Sequence, residues 1–393
     1  MFRAILSGLA ACAMASAAVL VNPSEADAMR AVITRGDPAA AAAAQALREA
    51  ADRALREGPW TVTATRPPRG GNLDPHDYYS EGPYWWPDPR NPGGPYIRRD
   101  GRTNPDRFMG HKSAMNSMSD ALFVLGAAAY LFNDPRYAER ANRVATVWFV
   151  DAKTRMNPNL EHGQAVPGRE TGRGTGIIDT RVLIRAAQGL DLVDRAGKLD
   201  PVVHDSVRRW FAEFDRWLTT SKKGLDEKKS GNNHASWWSA QVAAYAGFTG
   251  DRALQQMAFR WMREELFPKQ IQPDGSAPRE LARTKSLGYS AFNFEAYAVA
   301  CRIAQAAGVN LWDLRTPQGA TLGTIADYLL PALREPKQWK GEQIIEFDNS
   351  GMYYLALAGR GLSKPEYIRA YRDLEHPGDA WLAFIDLWLA ATQ

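Results

Sequence analysis

Two short segments of the sequence combine residue types that could bind and deprotonate an acidic ligand. The first is Asn232-Asn233-His234, which precedes a run of apolar residues that predicts a helix. The start of a helix leaves backbone N–H groups unpaired and carries a partial positive charge, so it favours a bound carboxylate. The alternative interpretation is that the asparagines only cap the helix and that His234 packs in the core.

The second segment contains Arg283 and Tyr289. In a continuous helix, at about 100° per residue, their side chains would point in different directions. Ser286 and Gly288 instead favour a loop leading into a helix over residues 290–307, so both side chains could face one cleft. The alternative is a surface arginine and an aromatic anchor for the following helix.

An amide, an imidazole, a guanidinium and a phenol together suit β-elimination from a uronate polymer. The C5 proton is acidic only when the neighbouring C6 carboxylate is neutralised, and Asn, Arg and His side chains can do this by hydrogen bonding. In β-1,4-linked glucuronate or mannuronate, the C5 proton and O4 lie on the same ring face, so one tyrosine could act at both. Lowering a tyrosine pKa from near 10 to about 7 needs roughly 4 kcal/mol, which a nearby Arg and His in a closed cleft could supply.

Several motifs of the chain are found together in one group of enzymes. They are Asn233-His234 followed by aromatic residues, Arg283 and Tyr289 at their spacing, residues 84–89 (Tyr-Trp-Trp-Pro-Asp-Pro), residues 98–101 and the glycine-rich residues 172–180. With these motifs the sequence resembles the alginate-lyase superfamily, and most closely polysaccharide lyase family 38, whose members cleave alginate or glucuronan (cellouronate). The resemblance covers roughly residues 75–300.

The resemblance implies an (α/α) toroid and an elimination that needs no metal ion. It also implies that Asn233 and Arg283 neutralise the substrate carboxylate and that Tyr289 is the catalytic acid. The base is then Tyr289 itself or His234, which could otherwise serve as a further neutralising group.

Other side chains near these motifs are candidates for substrate binding. They are Tyr78, Tyr79, Trp85, Trp86, His162, Gln164, Arg173, Trp237 and Trp238. The aromatic rings could stack on sugar rings, although aromatic residues at helical spacing commonly belong to the core. The polar candidates lie on a loop that could close over the polymer or could be an ordinary surface loop.

The sequence favours neither a metal ion nor a cofactor. The six histidines lack the spacing of common metal sites, and no pair of cysteines is present after residue 12. Asp74, His76 and Asp77 could ligate a cation, but ordinary turn chemistry favours a solvated turn. We therefore expect chelators to leave activity nearly intact.

The elements that must position these residues are predicted to be helices. Helical periodicity recurs near 38–57, 111–132, 136–151, 177–195, 201–221, 234–248, 251–267, 290–307, 321–334, 350–360, 365–373 and 379–391. Short connections favour antiparallel hairpins, so we predict an all-α (α/α) toroid or incomplete barrel. Long loops are expected at 58–110 and 152–176, and the polar residues 222–229 read as a surface loop.

The N-terminus reads as a secretory signal peptide. Arg3 precedes an apolar stretch, and Ala26-Asp27-Ala28 supplies a cleavage site, so residues 29–393 would form a single mature domain. A lipoprotein modified at Cys12 is the alternative. The expected location is the periplasm or the exterior, and Cys301 then has no intrachain partner.

The composition limits the remaining possibilities. With 393 residues, 45% of them hydrophobic, and a formal net charge of +4, the chain is globular and only mildly basic. This suits an acidic polysaccharide partner but not nucleic acid, since no long basic tract is present. Oligomeric state is not encoded in any pattern we can identify.

Two other functions fit parts of the sequence. A glycoside hydrolase on a similar toroid would need a carboxylate pair about 5–9.5 Å apart. The available carboxylates are Asp179, Glu280, Glu295 and Asp348. A non-catalytic polysaccharide-binding protein could instead use Trp85 and Trp86.

Among lyase substrates we favour glucuronan over alginate. The two sugars differ at C2, and the sequence does not identify the residues that contact C2. It also does not predict whether the enzyme acts within the polymer or at its ends.

Overall fold

The computed structural model describes residues 19–374 and 378–392, and almost all regular structure in them is helical. Within these ranges no helix is long and apolar enough to cross a membrane. Of the predicted signal peptide, residues 1–28, the first 18 residues, including Cys12, lie outside the described residues.

The helices alternate along the chain between buried and half-exposed. The helices buried over most of their length are α3 (Gly110–Leu131), α5 (Leu183–Arg195), α8 (Asn233–Thr249), α12 (Ser286–Ala306), α14 (Tyr353–Gly361) and α16 (Ala380–Ala391). Those exposing one face are α2 (Pro38–Ala54), α4 (Pro135–Ala145), α6 (Pro201–Thr220), α9 (Arg252–Trp261), α13 (Leu322–Arg334) and α15 (Pro365–Asp373). An inner and an outer layer of helices therefore alternate, as predicted for an (α/α) toroid.

Aspartate followed by proline starts three of the outer helices. Asp37, Asp134 and Asp200 each accept a hydrogen bond from a backbone N–H two residues further on. The proline at the first helical position has its φ preset and needs no hydrogen-bond acceptor. Local sequence chemistry thus fixes where these outer helices begin.

Glycine allows two inner helices to pack closely. A Cβ atom on Gly126 of α3 would lie 2.0 Å from the carbonyl oxygen of Gly189 on α5. A Cβ atom on Gly189 would lie 2.1 Å from the carbonyl oxygen of Leu122. The closest helix crossing in this part of the toroid therefore depends on two glycines in contact.

The ring closes where the end of the chain meets its beginning. Helix α16 packs against α2 and against α1 (Pro23–Thr34). Helix α1 begins before the predicted cleavage site and continues past it, so Ala28 lies inside a helix. Leu20 and Val21, which precede α1, are buried.

The two long loops predicted at 58–110 and 152–176 carry the short strands. Strand β1 (Tyr79–Glu81) pairs in parallel with β4 (His162–Ala165), and β2 (Trp85–Trp86) pairs antiparallel with β3 (Ile97–Arg98). The β1–β4 pairing ties one loop to the other. These loops are therefore ordered by mutual pairing.

Two local predictions were wrong. Residues 222–229 are not a surface loop: α7 (Lys222–Lys228) occupies them and buries Gly224 and Glu227. Helix α12 begins at Ser286 rather than 290, so Tyr289 lies in its first turn while Arg283 precedes the helix. The short helices α10 (Phe267–Gln270) and α11 (Pro278–Leu281) also lie in this region.

Candidate active site

A cavity of about 570 Å³ opens between the long loops and the inner helices. It is lined by the starts of α8 and α12, by the 3₁₀ segment Gly174–Val182 and by residues of α3 and β2. Asn233, His234, Arg283 and Tyr289 all line it. The structure thus brings together the four side chains that the sequence separates by up to 56 positions.

Asn233 begins α8 and is held by a buried carboxylate. Its backbone N–H donates to Glu280 Oε1 at 2.5 Å, and its side-chain Nδ2 donates to Glu280 Oε2 at 2.7 Å. Asn232 caps the helix by accepting from the backbone N–H of His234. One of the two Asn233 side-chain N–H groups remains for a ligand, and Glu280 fixes its orientation.

His234 is paired with a second buried carboxylate. Its Nδ1 lies 2.7 Å from Oε1 of Glu227, which is 1% exposed. Burial lowers the pKa of His234, but the charge of Glu227 and the hydrogen bond to it outweigh burial, so the pKa is raised. The pairing leaves Nε2 as the nitrogen available to a substrate, the arrangement of a carboxylate-supported general base.

Tyr289 is surrounded by hydrogen-bonding groups. Its hydroxyl donates to the Tyr84 hydroxyl at 2.6 Å and accepts from Arg283 Nη2 at 2.9 Å. The Arg283 guanidinium also lies over the Tyr289 ring, 3.9 Å from its centroid. The phenol therefore has a fixed direction and a cation at its oxygen.

The Tyr289 pKa differs from the sequence-based expectation. Burial and the neighbouring Tyr84 raise it above its ordinary value, and Arg283 only partly opposes them. The lowering towards neutrality considered from the sequence is wrong for the free protein, because burial and Tyr84 outweigh Arg283, whose charge is also shared with an aspartate. The phenol is protonated at neutral pH, the state required of a general acid.

That aspartate is Asp100, in the loop after β3. Arg283 donates to its two carboxylate oxygens from Nε at 3.1 Å and from Nη2 at 2.8 Å. Arg98 donates to the same carboxylate at 2.6 Å. The edge of Arg283 that would bind a substrate carboxylate is therefore occupied, and its two Nη1 N–H groups remain.

Among the predicted substrate-binding residues, three line the cavity. They are Trp85, Gln164 and Arg173. Arg173 donates to the backbone oxygen and to Oε1 of Gln164, and its guanidinium lies 5.7 Å from the Trp85 ring. Gln164 has a φ of 48°, an unusual value for a residue with a side chain.

The other six do not line the cavity. Tyr78 and Trp238 are 0% exposed, and their polar atoms bond to Asp179 and to the Leu218 carbonyl. Tyr79 and His162 line a separate cavity behind β4. Trp86 donates a hydrogen bond from Nε1 to the Arg102 carbonyl oxygen. Trp237 is packed in the core and is 3% exposed. Stacking of a sugar on Tyr78, Trp237 or Trp238 is excluded by their burial.

Several lining or supporting residues were not identified from sequence. They are Tyr84, Asp100, Lys112, Arg181 and Glu227. Glu280 was considered only as a hydrolase carboxylate, and its role in holding Asn233 was not identified. Tyr84 was part of a recognised motif, and its position before two tryptophans was the available signal. Glu227 stands among lysines and looks solvent-exposed in the sequence.

The carboxylates considered for a hydrolase do not form a catalytic pair. Only Asp179 lines the cavity, and it accepts hydrogen bonds from Lys112, Ser80 and Tyr78. Glu280 is held by Asn233, Glu295 accepts from Tyr353, and Asp348 is exposed. In the described part of the chain, no group of three or more His, Cys, Asp or Glu side chains is placed to hold a metal ion.

Comparison with known proteins gives consistent matches. The chain is similar to an alginate lyase from Bacteroides ovatus, with 31% identity, 94% of this chain and 99% of the other covered, and a TM-score of 0.86. Alginate lyase A1-III from Sphingomonas species A1 shares the fold at 16% identity, covering 90% and 89% of the two chains, with a TM-score of 0.53. A variant of A1-III complexed with a tetrasaccharide matches at 17% identity and a TM-score of 0.57, covering 86% and 87%.

No curated protein sequence matches the chain. A sequence profile described as alginate lyase matches residues 61–339, which include the whole cavity. The match spans more than half of the chain and contains the asparagine, histidine, arginine and tyrosine described above. The chain therefore belongs to the alginate lyase family of polysaccharide lyases.

Proposed function

We propose that the protein cleaves β-1,4-linked polyuronate by syn β-elimination, leaving a 4,5-unsaturated uronate at each new non-reducing end. The single observation that carries the proposal is the convergence of Asn233, His234, Arg283 and Tyr289 on one cavity. Its lining includes more cationic than anionic side chains, which suits an acidic polymer.

In the proposed reaction, Asn233 and the start of α8 bind the C6 carboxylate of the sugar being cleaved. The free Asn233 N–H and the Nη1 N–H groups of Arg283 stabilise the enolate-like charge that forms. Because these donors are held by Glu280 and Asp100, they need little reorganisation as that charge develops.

Protons move at His234 and Tyr289. Nε2 of His234 takes the C5 proton, and Glu227 stabilises the imidazolium that results. Tyr289 gives its proton to O4, the bond from C4 to O4 breaks, and the C4–C5 double bond forms. In the alternative version of the same elimination, Tyr289 both takes the C5 proton and protonates O4.

The test is Tyr289→Phe, which removes only the phenol oxygen. We expect turnover to fall by roughly 10²–10⁴-fold, because general acid catalysis contributes about that much. Formation of unsaturated uronate is measured by its ultraviolet absorbance. Tyr328→Phe is the matched control, since Tyr328 is half-buried on α13, far along the chain and outside the cavity.

Four results would contradict the proposal. Near-normal turnover of Tyr289→Phe would favour a carboxylate mechanism. New reducing ends without the absorbance would indicate hydrolysis, and tight binding without product would indicate a binding protein. Loss of activity on chelation, restored by one specific cation, would contradict the metal-independent reaction.

For the substrate, we propose glucuronan and mannuronate-type alginate, with a preference for glucuronan. The relatives that match are called alginate lyases, while the motif resemblance to polysaccharide lyase family 38 supports glucuronan. Equal amounts of the two polymers, assayed with product sizing, distinguish them. Faster cleavage of polymannuronate than of polyglucuronate would reverse the preference.

We also propose that the protein is exported to the periplasm or the exterior. The support is the apolar N-terminal segment with small residues after it. Cell fractionation tests this, and full activity retained in the cytoplasm would contradict it.

A further inference from the structure

Most cationic side chains around the cavity are already paired. Arg98 and Arg283 share Asp100, Lys112 pairs with Asp179 at 2.8 Å, and Arg185 pairs with Asp120 at 3.0 Å. Arg173 is bonded to Gln164. The positive charges of these ion-paired residues are therefore partly neutralised by carboxylates of the protein itself.

Arg181 is different. Within the described residues, its guanidinium forms no ion pair and no hydrogen bond, although the side chain lines the cavity and is half-buried. It lies between two aromatic rings instead, 5.6 Å from the centroid of Trp237 and 5.2 Å from that of Phe292. Stacking on aromatic faces fixes a guanidinium while leaving its N–H donors free.

The two rings relate Arg181 to the catalytic pair. Trp237 follows His234 by three residues on α8, and Phe292 follows Tyr289 by three residues on α12. Three residues correspond to almost one turn and about 4.5 Å along a helix. Arg181 therefore lies about one turn beyond the reacting centre, on the faces of α8 and α12 that carry His234 and Tyr289.

We propose that Arg181 binds the carboxylate of the uronate next to the one being cleaved. This rests on the proposed function, since it is the polyuronate that presents one carboxylate per sugar. A free, planar guanidinium binds a carboxylate through two parallel N–H···O bonds, and partial burial strengthens them. The proposal also gives Trp237 a role: it supports Arg181 and does not contact the sugar.

The test measures binding without turnover. In a Tyr289→Phe background, the affinity for a defined uronate tetrasaccharide is measured by calorimetry with and without Arg181→Gln. We expect Arg181→Gln to weaken binding by roughly tenfold to a hundredfold, the range for hydrogen bonds to charged groups. Arg260→Gln on the exposed face of α9 is the control for the loss of one positive charge.

A second ligand makes the test specific. The second ligand is a tetrasaccharide whose carboxylates outside the cleavage position are reduced to hydroxymethyl groups. For this ligand, Arg181→Gln should weaken binding by less than about twofold. Arg181→Lys keeps the charge without the planar fork and should give an intermediate loss; it also serves if Arg181→Gln folds poorly, which thermal unfolding reports.

Two outcomes overturn the proposal. Equal affinity of the background protein and its Arg181→Gln variant would show that Arg181 does not bind a substrate carboxylate. It would leave the proposed elimination unaffected. Equal losses with the charged and the reduced ligand mean that Arg181 acts on the fold and not on a carboxylate. The proposed elimination fails separately, by the absence of unsaturated product from the unmodified protein.

Discussion

At the scale of single residues, Asp100 controls what Arg283 can do. Asp100 binds Nε and Nη2 of Arg283, while the same Nη2 also donates to the Tyr289 hydroxyl. Asp100 therefore competes with a substrate carboxylate for the Nε and Nη2 edge of Arg283. It also helps to keep Nη2 of Arg283 in contact with the Tyr289 hydroxyl.

We predict that Asp100→Asn changes substrate binding and turnover in opposite directions. Freeing one edge of Arg283 should lower KM by roughly twofold to tenfold, since a net hydrogen bond contributes about that much. The kcat should fall, because Arg283 is no longer fixed on Tyr289. Burial and Tyr84 raise the pKa of Tyr289 and Asp100 adds to this, so removing the charge lowers that pKa.

The pH dependence checks the same variant. An acid must be protonated, so activity is lost as pH rises through the Tyr289 pKa, and the alkaline decline of kcat should begin at lower pH in Asp100→Asn. Measurement of kcat and KM across pH decides this. A raised KM with an unchanged alkaline limb would show that Asp100 only holds the loop.

The residues that we propose to react were easier to identify from the sequence than their partners. His234, Asn233 and Tyr289 have side chains whose chemistry is readable from their type. Glu227 and Glu280 have ordinary surface residue types, and only their burial, at 1% and 0% exposure, makes them important. Burial depends on contacts between distant segments, which neither residue type nor spacing contains.

At the scale of elements, the short helix α7 supplies the carboxylate behind His234. Gly224 allows it to approach α6, since a Cβ atom there would lie 2.1 Å from the Leu218 carbonyl oxygen. That approach places Glu227 against Nδ1 of His234. The polar composition of residues 222–229 hid this helix, because Lys222 and Asp226 are exposed while Gly224 and Glu227 are buried.

We predict that Glu227→Gln weakens His234 as a base. Glu227 raises the pKa of His234 against the effect of burial, so without its charge the pKa falls. If neutral His234 takes the C5 proton, the acid limb of kcat/KM should move to lower pH. The kcat should fall by about tenfold or more, because the imidazolium loses its carboxylate.

Asp226→Asn is the matched control for this helix. Asp226 is the neighbouring residue on α7, is exposed and pairs with Lys222 at the surface. It should keep the native pH profile. A Glu227→Gln protein with both the native kcat and the native acid limb would show that the pair is structural and that His234 does not take the proton.

At the scale of the whole molecule, the alternation of helices was predictable but the closure of the ring was not. Most helices match their predicted ranges to within a few residues, because periodicity, Asp-Pro starts and glycines are local signals. The first half of helix α1 was assigned to a signal peptide instead. Its role is long-range: residues 20–25 bond to side chains of α5, α12 and α16.

These bonds surround a buried charge. Arg302 of α12 is 2% exposed; its Nε donates to the Leu20 carbonyl at 2.7 Å, and it forms an ion pair with Glu25. Gln188 of α5 accepts from the backbone N–H groups of Leu20 and Val21. Cleavage after Ala28 would remove all of these partners.

We therefore expect the exported protein to begin upstream of residue 19, with cleavage after Ala15-Ser16-Ala17, which also has small residues at the required positions. A chain that begins at Met29 would lose the ion pair of Arg302 with Glu25, its hydrogen bond to the Leu20 carbonyl and the buried residues Leu20 and Val21, so we expect its free energy of unfolding to be lower. Its Tm should be clearly lower than that of a chain beginning at Ala18. The intact mass of the exported protein gives the cleavage position directly. An exported protein that begins at Met29, or equal stability of the two chains, would mean that the N-terminal segment is dispensable for the closed ring.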